Sequence, residues 1–249
     1  MMQTHPDIRV GGLQPFTMID FPGRMAAVVF LQGCNLRCSY CHNPGLLDTR
    51  QPGDITWPEV LAFLEKRRGF LEGVVFSGGE PLMQPGIDGA ISRVRELGFD
   101  VALHTNGFYP ARLESLLHQN MLQYVAMDIK SSDEGYRSRF GVETTDPVVR
   151  SARLIAGSGI RHEFRTTVHP KIVTDRDIHG VADMLEGIGV EHFILQKFKP
   201  GKVLDPGLKE SGEDWVRAAT VRELARRFRR FEVRGDAMYE DLLHHAKAA

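Results

Sequence analysis

Cysteine is scarce in this sequence, and long apolar runs are missing from it. Only three of the 249 residues are cysteine, and no stretch approaches the ~18 uninterrupted apolar residues of a membrane helix. The first residues, "MMQTHPDIRVGGLQPF", have no apolar segment typical of a signal peptide. The formal net charge of -1 gives no global field that would attract nucleic acid or an anionic membrane. We therefore expect a cytoplasmic protein with no nucleic acid and no membrane among its partners.

Internal repeats, low-complexity tracts and linkers rich in Pro, Gly and Ser are also absent. A chain of 249 residues that is 42% hydrophobic and 25% charged can bury a sizeable core. We predict a single domain over residues 1–249, with its core at about 20–200 and a C-terminal helical extension at about 205–249.

Strand-like and helix-like segments alternate along the chain. Short apolar runs rich in β-formers predict strands, at 26–33, 73–80, 100–107, 124–130, 162–168 and 192–198. Helical periodicity predicts helices, at 57–68, 87–98, 110–119, 146–159, 174–189 and 212–230. Strands that are apolar on both faces and joined by single helices indicate a parallel sheet with right-handed crossovers. Six such units are too few for a closed eight-unit barrel, so we predict an α/β fold, a partial (β/α)6 TIM-like barrel with its chemistry at the C-terminal strand ends.

All three cysteines lie in "LQGCNLRCSYCHNPG", at Cys34, Cys38 and Cys41, directly after the first predicted strand. In a reducing compartment, an odd and clustered set of thiols indicates a metal site rather than disulfides. Three and then two intervening residues let three thiolates bind one compact iron–sulfur cluster. A four-iron cluster would keep one iron without a protein ligand, the open position that a catalytic metal site needs.

Two other interpretations of the cysteines stay open. A structural zinc site could combine them with adjacent His42, although structural zinc usually takes two separated pairs of ligands. The segment "CSYCH" also matches a c-type haem attachment pattern. Haem attachment would leave Cys34 unexplained, and it normally requires export, for which we expect no signal.

Two motifs together carry a family resemblance. "CNLRCSYCHNP" resembles the CxxxCxxC signature of the radical S-adenosylmethionine (radical SAM) superfamily, and "SGGEPL" at 77–82 resembles its second motif. "TMIDFPGRMAAVVFLQGCNLRCSYCHNP", "HTNGF" and "YVAMDIK" are similar to activases of glycyl-radical enzymes. Among these they resemble the long form of the anaerobic ribonucleoside-triphosphate reductase activases and, more distantly, the pyruvate formate-lyase activases. The likeness covers about residues 9–200.

The resemblance implies a radical SAM core and two cofactors, a 4Fe-4S cluster on the three cysteines and S-adenosylmethionine on its free iron. It implies that the reduced cluster cleaves S-adenosylmethionine to methionine and a 5'-deoxyadenosyl radical, and that this radical takes a hydrogen from a glycine Cα of a partner enzyme. The implied partners are a glycyl-radical enzyme, above all anaerobic ribonucleotide reductase, and a flavodoxin or ferredoxin-type electron donor.

The resemblance also assigns residues to S-adenosylmethionine. Gly78 and Gly79 would let the backbone approach its methionine moiety, and Glu80 would accept hydrogen bonds from its ammonium group. Tyr40 would lie near the adenine and Arg165 near the ribose and carboxylate. Simpler interpretations are a strand-to-helix turn for the glycines, loop packing for Tyr40 and a solvated or sheet-capping role for Arg165.

The segments "HTNG" and "MDIK" correspond to strand ends that, in the pyruvate formate-lyase activases, hold the methionine carboxylate and a monovalent cation. The matching side chains that we assign to cofactor binding are Thr105, Asn106, Asp128 and Lys130. His104 stands where those relatives have an aspartate. A neutral imidazole is a poor ligand for a hard cation, so the resemblance does not carry a cation site to this chain.

A last feature is a row of arginines at helical spacing near the C-terminus, at Arg222, Arg226, Arg229 and Arg230. They could form a basic face for an acidic flavodoxin or a nucleotide-binding partner, although such a run is usually a solvated helix face. The histidines near the C-terminus show no ligand spacing and indicate no metal site.

Three functional hypotheses follow. The first is an activase of anaerobic ribonucleotide reductase. The second is a radical SAM enzyme that acts on a small molecule, such as a 7-carboxy-7-deazaguanine synthase, and the third is a non-catalytic zinc or scaffold module. With three thiols in one loop, none is left for an auxiliary cluster, which favours the simpler radical SAM enzymes.

Overall fold

The computed structural model describes residues 7–212, 215–239 and 243. The strands are β1 Val10–Thr17, β2 Ala26–Leu31, β3 Gly73–Gly78, β4 Asp100–Thr105, β5 Tyr124–Asp128, β6 Arg161–Val168, β7 His192–Lys197 and β8 Arg230–Arg234. The helices are α1 Trp57–Glu65, α2 Ile87–Glu96, α3 Pro110–His118, α4 Asp133–Phe140, α5 Asp146–Gly157, α6 Asp175–Gly187 and α7 Ala218–Arg227. Among these described residues, no helix is long and apolar enough to span a membrane.

One eight-stranded sheet follows the order of the sequence, from β1 to β8. Strands β2 to β8 are parallel, whereas β1 pairs with β2 in the antiparallel sense. No strand pairing in the described part of the chain joins β8 back to β1, so the barrel is open at that side. The predicted partial barrel is therefore confirmed.

The six predicted strands and six predicted helices are all present, with ends that differ by a few residues. The last predicted helix is the least accurate, because α7 begins only at Ala218 and Glu213 and Asp214 lie outside the described residues. Strands β1 and β8 and helix α4 were not predicted. The predicted extension at 205–249 thus contains a helix and a strand, and its end at 244–249 lies outside the described residues.

Two apolar layers hold the barrel. The larger lies between the sheet and the helices, and the smaller fills the barrel interior. The interior layer is built mostly from small side chains, including Val28, Val75 and Ala102, and Phe21 enters from the segment after β1 to stack on Tyr124 at 5.8 Å. Because this layer fills the interior near the N-terminal ends of the strands, the open space lies toward their C-terminal ends.

Candidate active site

The cysteine loop follows β2 and borders a cavity of about 590 Å³ at the C-terminal strand ends. Cys34, Cys38 and Cys41 all line this cavity, and none of them forms a disulfide. Burial raises the pKa of the Cys34 thiol to about 12 and that of Cys38 to about 11. The Lys130 ammonium partly opposes both shifts, because a cation favours the thiolate form.

The end of β3 holds the base of this loop through its backbone. The Gly79 N–H donates to the Leu31 carbonyl at 2.9 Å, and the Glu80 N–H donates to the Gly33 carbonyl at 2.9 Å. A Cβ on Gly79 would lie 2.1 Å from the Gly33 carbonyl oxygen. Gly78 has φ of 117°, and its Cβ would lie 2.2 Å from the Leu31 nitrogen. The two glycines are therefore required for strand packing, whatever they also do for a cofactor.

Side chains and a second loop hold the rest of the cysteine loop. The Gln32 amide donates to the carbonyls of Gly45 and Asp48, each at 3.0 Å. On the other side, the Leu204 N–H donates to the Cys41 carbonyl at 3.1 Å. These bonds fix the backbone on both sides of the three cysteines, so their spacing is set by the protein fold.

Glu80 is fully buried beneath the cavity rather than in its lining. Its carboxylate accepts hydrogen bonds from the Leu82 N–H at 3.0 Å, the Thr105 hydroxyl at 2.8 Å and the Asn106 N–H at 2.7 Å. Burial raises the pKa of Glu80 to about 7, against these hydrogen bonds. Glu80 thus ties the end of β3 to the end of β4, and its predicted contact with an ammonium group stays a prediction.

Asn106 connects β4 to the cysteine loop. Its side-chain amide donates to the Asn35 side-chain oxygen at 2.8 Å and lies 3.9 Å from the Cys34 sulfur. Since Glu80 holds the Asn106 backbone, a chain of hydrogen bonds runs from the "GGE" motif to the residue beside the first cysteine.

A charged group lies on β5 and β6, across the cavity. Asp128 accepts two hydrogen bonds from the Arg165 guanidinium, at 2.9 and 3.3 Å, and Lys130 Nζ lies 3.4 Å from the same carboxylate. Although burial opposes it, Arg165 and Lys130 hold the pKa of Asp128 well below its usual range. Asp128 in turn raises the pKa of Lys130, again against burial. All three groups are therefore charged at neutral pH.

His104 lies on the inner face of β4, next to this charged group. Its Nε2 donates to the Asp20 carbonyl at 2.8 Å. Burial, together with the nearby Arg165, lowers the pKa of His104 to about 4. The imidazole is therefore neutral at pH 7.

A pH-dependent stability is expected from His104. Because its pKa falls from 6.5 to about 4 on folding, the unfolded chain binds the proton first, and stability is lost as the pH falls through this window. Between pH 7 and pH 5, the wild-type protein should lose about 2 kcal/mol more than His104→Gln, which keeps a donor for Asp20 but does not titrate. Urea unfolding of cluster-free protein at both pH values measures this difference. Equal losses in the two proteins would contradict the assignment.

Tyr40 lines the cavity and packs against aromatic side chains of α4. It is buried, packs edge-on against Phe140 at 6.3 Å, and has no hydrogen-bond partner for its hydroxyl within the described residues. The Tyr136 hydroxyl, also from α4, accepts the Lys130 N–H at 2.8 Å. A buried hydroxyl without a partner beside a cavity is a position where a bound molecule can supply one.

His42 lines the same cavity as the cysteines but is held by Lys199 and Phe198. Its Nε2 donates to the Lys199 carbonyl at 2.8 Å, and its ring stacks on Phe198 at 5.6 Å. In the described part of the chain, no three His, Cys, Asp or Glu side chains are arranged to hold a metal ion. A cubane cluster does not need such convergence, since each thiolate binds a different iron. The preference for a four-iron cluster rests on the spacing of the three cysteines in the sequence.

The C-terminal arginines lie away from the cysteines. Arg229 and Arg230 form ion pairs with Glu191 and Glu232, and Arg230 begins β8 at the opposite end of the parallel strands. The predicted basic face therefore has no contact with the candidate site.

Most residues that the sequence assigns to the cofactors border one cavity: Cys34, Cys38, Tyr40, Cys41, Gly78, Gly79, Thr105, Asn106, Asp128, Lys130 and Arg165. The same cavity has further polar walls that the sequence did not indicate: Asp20, Ser77, Thr167, Gln196 and Arg234. Four of these five are inward-facing residues of strands, recognisable only once the sheet register is known.

Comparisons with known proteins agree with this geometry. The family model described as the radical SAM superfamily matches residues 28–185. A protein of Methanocaldococcus jannaschii, provisionally named a glycyl-radical enzyme activating enzyme, is 30% identical over 81% of this chain and 84% of its own length. A pyruvate formate-lyase-activating enzyme of Clostridium pasteurianum is 31% identical over 72% of this chain and 77% of its own. The chain belongs to the radical SAM superfamily. Within it, the chain belongs to the glycyl-radical-enzyme activating enzymes.

Two further similarities are partial. A 7-carboxy-7-deazaguanine synthase of Methanopyrus kandleri is 34% identical, but over only 46% of this chain and 53% of its own length. The solved structure of Streptococcus suis SuiB bound to S-adenosylmethionine superposes with a TM-score of 0.57 at 14% identity, over 84% of this chain. This chain covers 46% of SuiB, about half of its length, and the likeness shows a shared fold.

The residues present fit the two cofactors that this family implies. Three thiols of one fixed loop suit a 4Fe-4S cluster. The cavity beside them holds cationic and anionic side chains and the unpaired Tyr40 hydroxyl, which suits a zwitterionic nucleoside such as S-adenosylmethionine.

Proposed function

We propose that this protein forms a glycyl radical on an anaerobic ribonucleoside-triphosphate reductase in the cytoplasm. The observation that carries the proposal is that the three-cysteine loop and the Asp128, Lys130 and Arg165 group line one cavity. When bound together, a reduced cluster and S-adenosylmethionine supply a 5'-deoxyadenosyl radical that can take a hydrogen atom from a glycine Cα.

We assign the charged residues to the two oppositely charged groups of the methionine moiety. Lys130 and Arg165 provide the cations that a methionine carboxylate needs. Glu80 lies on the side of the Gly78 and Gly79 backbone with its carboxylate held by three donors, and because burial raises its pKa to about 7, a bound ammonium group would favour its ionised form. Their separation on β3, β5 and β6 orients a bound zwitterion across the strand ends.

Other residues position the adenosine and exclude water. Tyr40 and its α4 neighbours lie next to Cys41, on the side where the adenine would bind. Glu80 holds Thr105 and Asn106, and the Asn106 amide donates to Asn35 in the cysteine loop. The Phe21 and Tyr124 stack closes the barrel interior below the cavity, which limits access of solvent to a reactive intermediate.

An external electron donor is part of the proposal. All three cysteines of the chain lie in one loop, so the chain has no thiols for a second cluster that could store electrons. We propose a flavodoxin or ferredoxin-type donor that docks near the cysteine loop. The exposed side chains beside the cysteines, among them Arg37 and His42, offer a surface for it.

The choice of ribonucleotide reductase rests on the resemblance of the sequence around the cysteine loop. A specific observation favours a second candidate, because a 7-carboxy-7-deazaguanine synthase shares 34% identity over 137 residues. That similarity covers under half of the chain, whereas the activating enzymes match over more than two thirds of it. The activase is therefore the better supported function.

A direct test mixes the reduced protein with S-adenosylmethionine and an anaerobic ribonucleotide reductase. Electron paramagnetic resonance should show a protein-based doublet, split by the remaining α-hydrogen of the glycine. Deuterium placed at that Cα should be recovered in 5'-deoxyadenosine, because the radical takes the hydrogen directly when the Cα is held at near contact.

The controls separate the candidates. A reductase with its radical glycine replaced by alanine should give no doublet. If no glycyl-radical enzyme gives the doublet, but a small pterin-like metabolite stimulates cleavage and loses its own deuterium to 5'-deoxyadenosine, the synthase-like function replaces the activase.

A further inference from the structure

The cavity continues past the residues assigned to the cofactors, onto β6, β7 and β8. Thr167 and Gln196 are paired in register on β6 and β7, and Gln196 is paired in turn with Arg234 on β8. All three line the cavity. They form a row of polar side chains on the inner face of the sheet, beside its open edge.

Two members of this row have free hydrogen-bonding groups. Within the described part of the chain, neither the Thr167 hydroxyl nor the Gln196 amide has a hydrogen-bond partner. Arg234 differs, because its guanidinium donates two hydrogen bonds to Glu163, at 2.9 and 2.8 Å. Lys199 also lines this end, with its Cε 3.7 Å from the position of a Cβ on Gly235, so one ammonium group lies there beside the two uncharged side chains.

This end of the cavity lies next to the open edge of the sheet at β8. Ile19, from the segment after β1, lines the cavity and is 84% exposed. Gly235, directly after β8, lines it from the other side. Because β1 is antiparallel to β2, Ile19 follows β1 near the N-terminal end of β2, whereas Gly235 follows the C-terminal end of β8. Gln196 on β7 lies one strand from the open edge of the sheet at β8.

An amide and a hydroxyl each contain both a donor and an acceptor. An extended peptide backbone presents the same two groups in alternation, without charge, and needs a partner for each group that it buries. We infer that Thr167 and Gln196 form a subsite that binds the backbone of the glycine-bearing segment of the partner enzyme. This inference rests on the proposed function and adds where the target segment is held.

The reaction requires a site that holds the target glycine in a fixed position. A 5'-deoxyadenosyl radical attacks C–H bonds without much selectivity, so the glycine Cα has to be held against it. Hydrogen bonds to the backbone on either side of the glycine hold the Cα without depending on a side chain, which glycine does not have.

The test removes the polar groups and retains the approximate size of each side chain. In Thr167→Val and Gln196→Met holoenzyme, the KM for anaerobic ribonucleotide reductase should rise about two- to ten-fold per variant, the effect of one lost hydrogen bond. More 5'-deoxyadenosine should be released per glycyl radical formed, because the target is held less firmly. The iron content and the Kd for S-adenosylmethionine should stay at wild-type values.

Gln119→Met is the matched control, because Gln119 is an exposed glutamine after α3, away from the cavity. It should change none of these quantities. Calorimetry with a short synthetic peptide that carries the radical glycine of the reductase gives a second measurement, in which the wild type should bind more tightly than either cavity variant.

The possible results are distinct. An unchanged KM and an unchanged ratio of 5'-deoxyadenosine to radical would overturn the subsite. A raised Kd for S-adenosylmethionine with an unchanged KM would assign both side chains to the cofactor and would also overturn it. If the wild type cleaves S-adenosylmethionine but activates no glycyl-radical enzyme, the proposed function fails, and equal peptide binding by wild type and variants then rejects the subsite as well.

Discussion

Replacement of Cys34, Cys38 or Cys41 by alanine is expected to abolish cluster binding and cleavage of S-adenosylmethionine together. Wild-type protein reconstituted without oxygen should hold about four iron and four sulfide per chain, the content of one 4Fe-4S cluster. Each variant lacks one of the three thiolates that bind this cluster. No other cysteine in the sequence could replace a lost ligand. Iron analysis and chromatography of 5'-deoxyadenosine measure the two effects.

Ser39→Ala is the control for these variants. Ser39 lies within the same loop, and its backbone carbonyl accepts the Asp205 N–H at 2.8 Å, a bond that the substitution does not remove. This variant should retain the cluster and the cleavage. Stoichiometric zinc in protein purified without oxygen, with no cleavage after reconstitution, would instead support the structural zinc site that the sequence left open.

The sequence was sufficient for the central strands of the fold. A strand buried on both faces has an uninterrupted apolar run, as in "AAVVFL" of β2 and "GVVFSG" of β3, and such runs are easily recognised. The single helices between them then leave few topologies for the sheet. This is why the partial barrel and its chemical end could be predicted.

The elements that were not predicted lack this signal. Strand β1, "VGGLQPFT", contains two glycines and a proline, and its central residues are partly or fully exposed. Strand β8, "RFEVR", is only five residues long, but its alternation of apolar and charged residues is the pattern of a half-buried strand, so the sequence did contain a signal for it. Strand β1 owes its structure to pairing with β2, and pairing cannot be read from local sequence.

Helix α4 was missed for another reason. Its sequence, "DEGYRSRF", is polar on most sides and contains Gly135, so it has no helical periodicity. Contacts with α6 stabilise helix α4. Asp177 on α6 accepts hydrogen bonds from Ser132, the N-cap residue of α4, and from Arg139 within α4. The same helix supplies the aromatic residues beside Tyr40, which therefore could not be predicted either.

The residues of the candidate site also fall into those that the sequence could predict and those that it could not. The cysteines could be predicted because their residue type and spacing are unusual in themselves. Thr167 and Gln196 could not, since threonine and glutamine are common, and their shared position follows only from the register of β6 and β7. The glycines of the "GGE" motif were predicted for their approach to a cofactor. The structure adds a packing role that their residue type alone does not distinguish.

That packing role has a large expected consequence in Gly79→Ala. The added Cβ would lie 2.1 Å from the carbonyl oxygen of Gly33 and 3.1 Å from that of Leu46, and both are backbone atoms that cannot rotate away. The base of the cysteine loop therefore has to move, which should cost on the order of 3 kcal/mol of stability and most of the bound cluster. Gly45→Ala, in the same loop, is the matched control, because its Cβ would meet nothing within 4 Å. Urea unfolding measures the stability, and iron content measures the cluster. If Gly79→Ala keeps the stability and iron content of Gly45→Ala, the close contact between β3 and the cysteine loop does not position the cluster ligands, and the glycine would then act only through the cofactor.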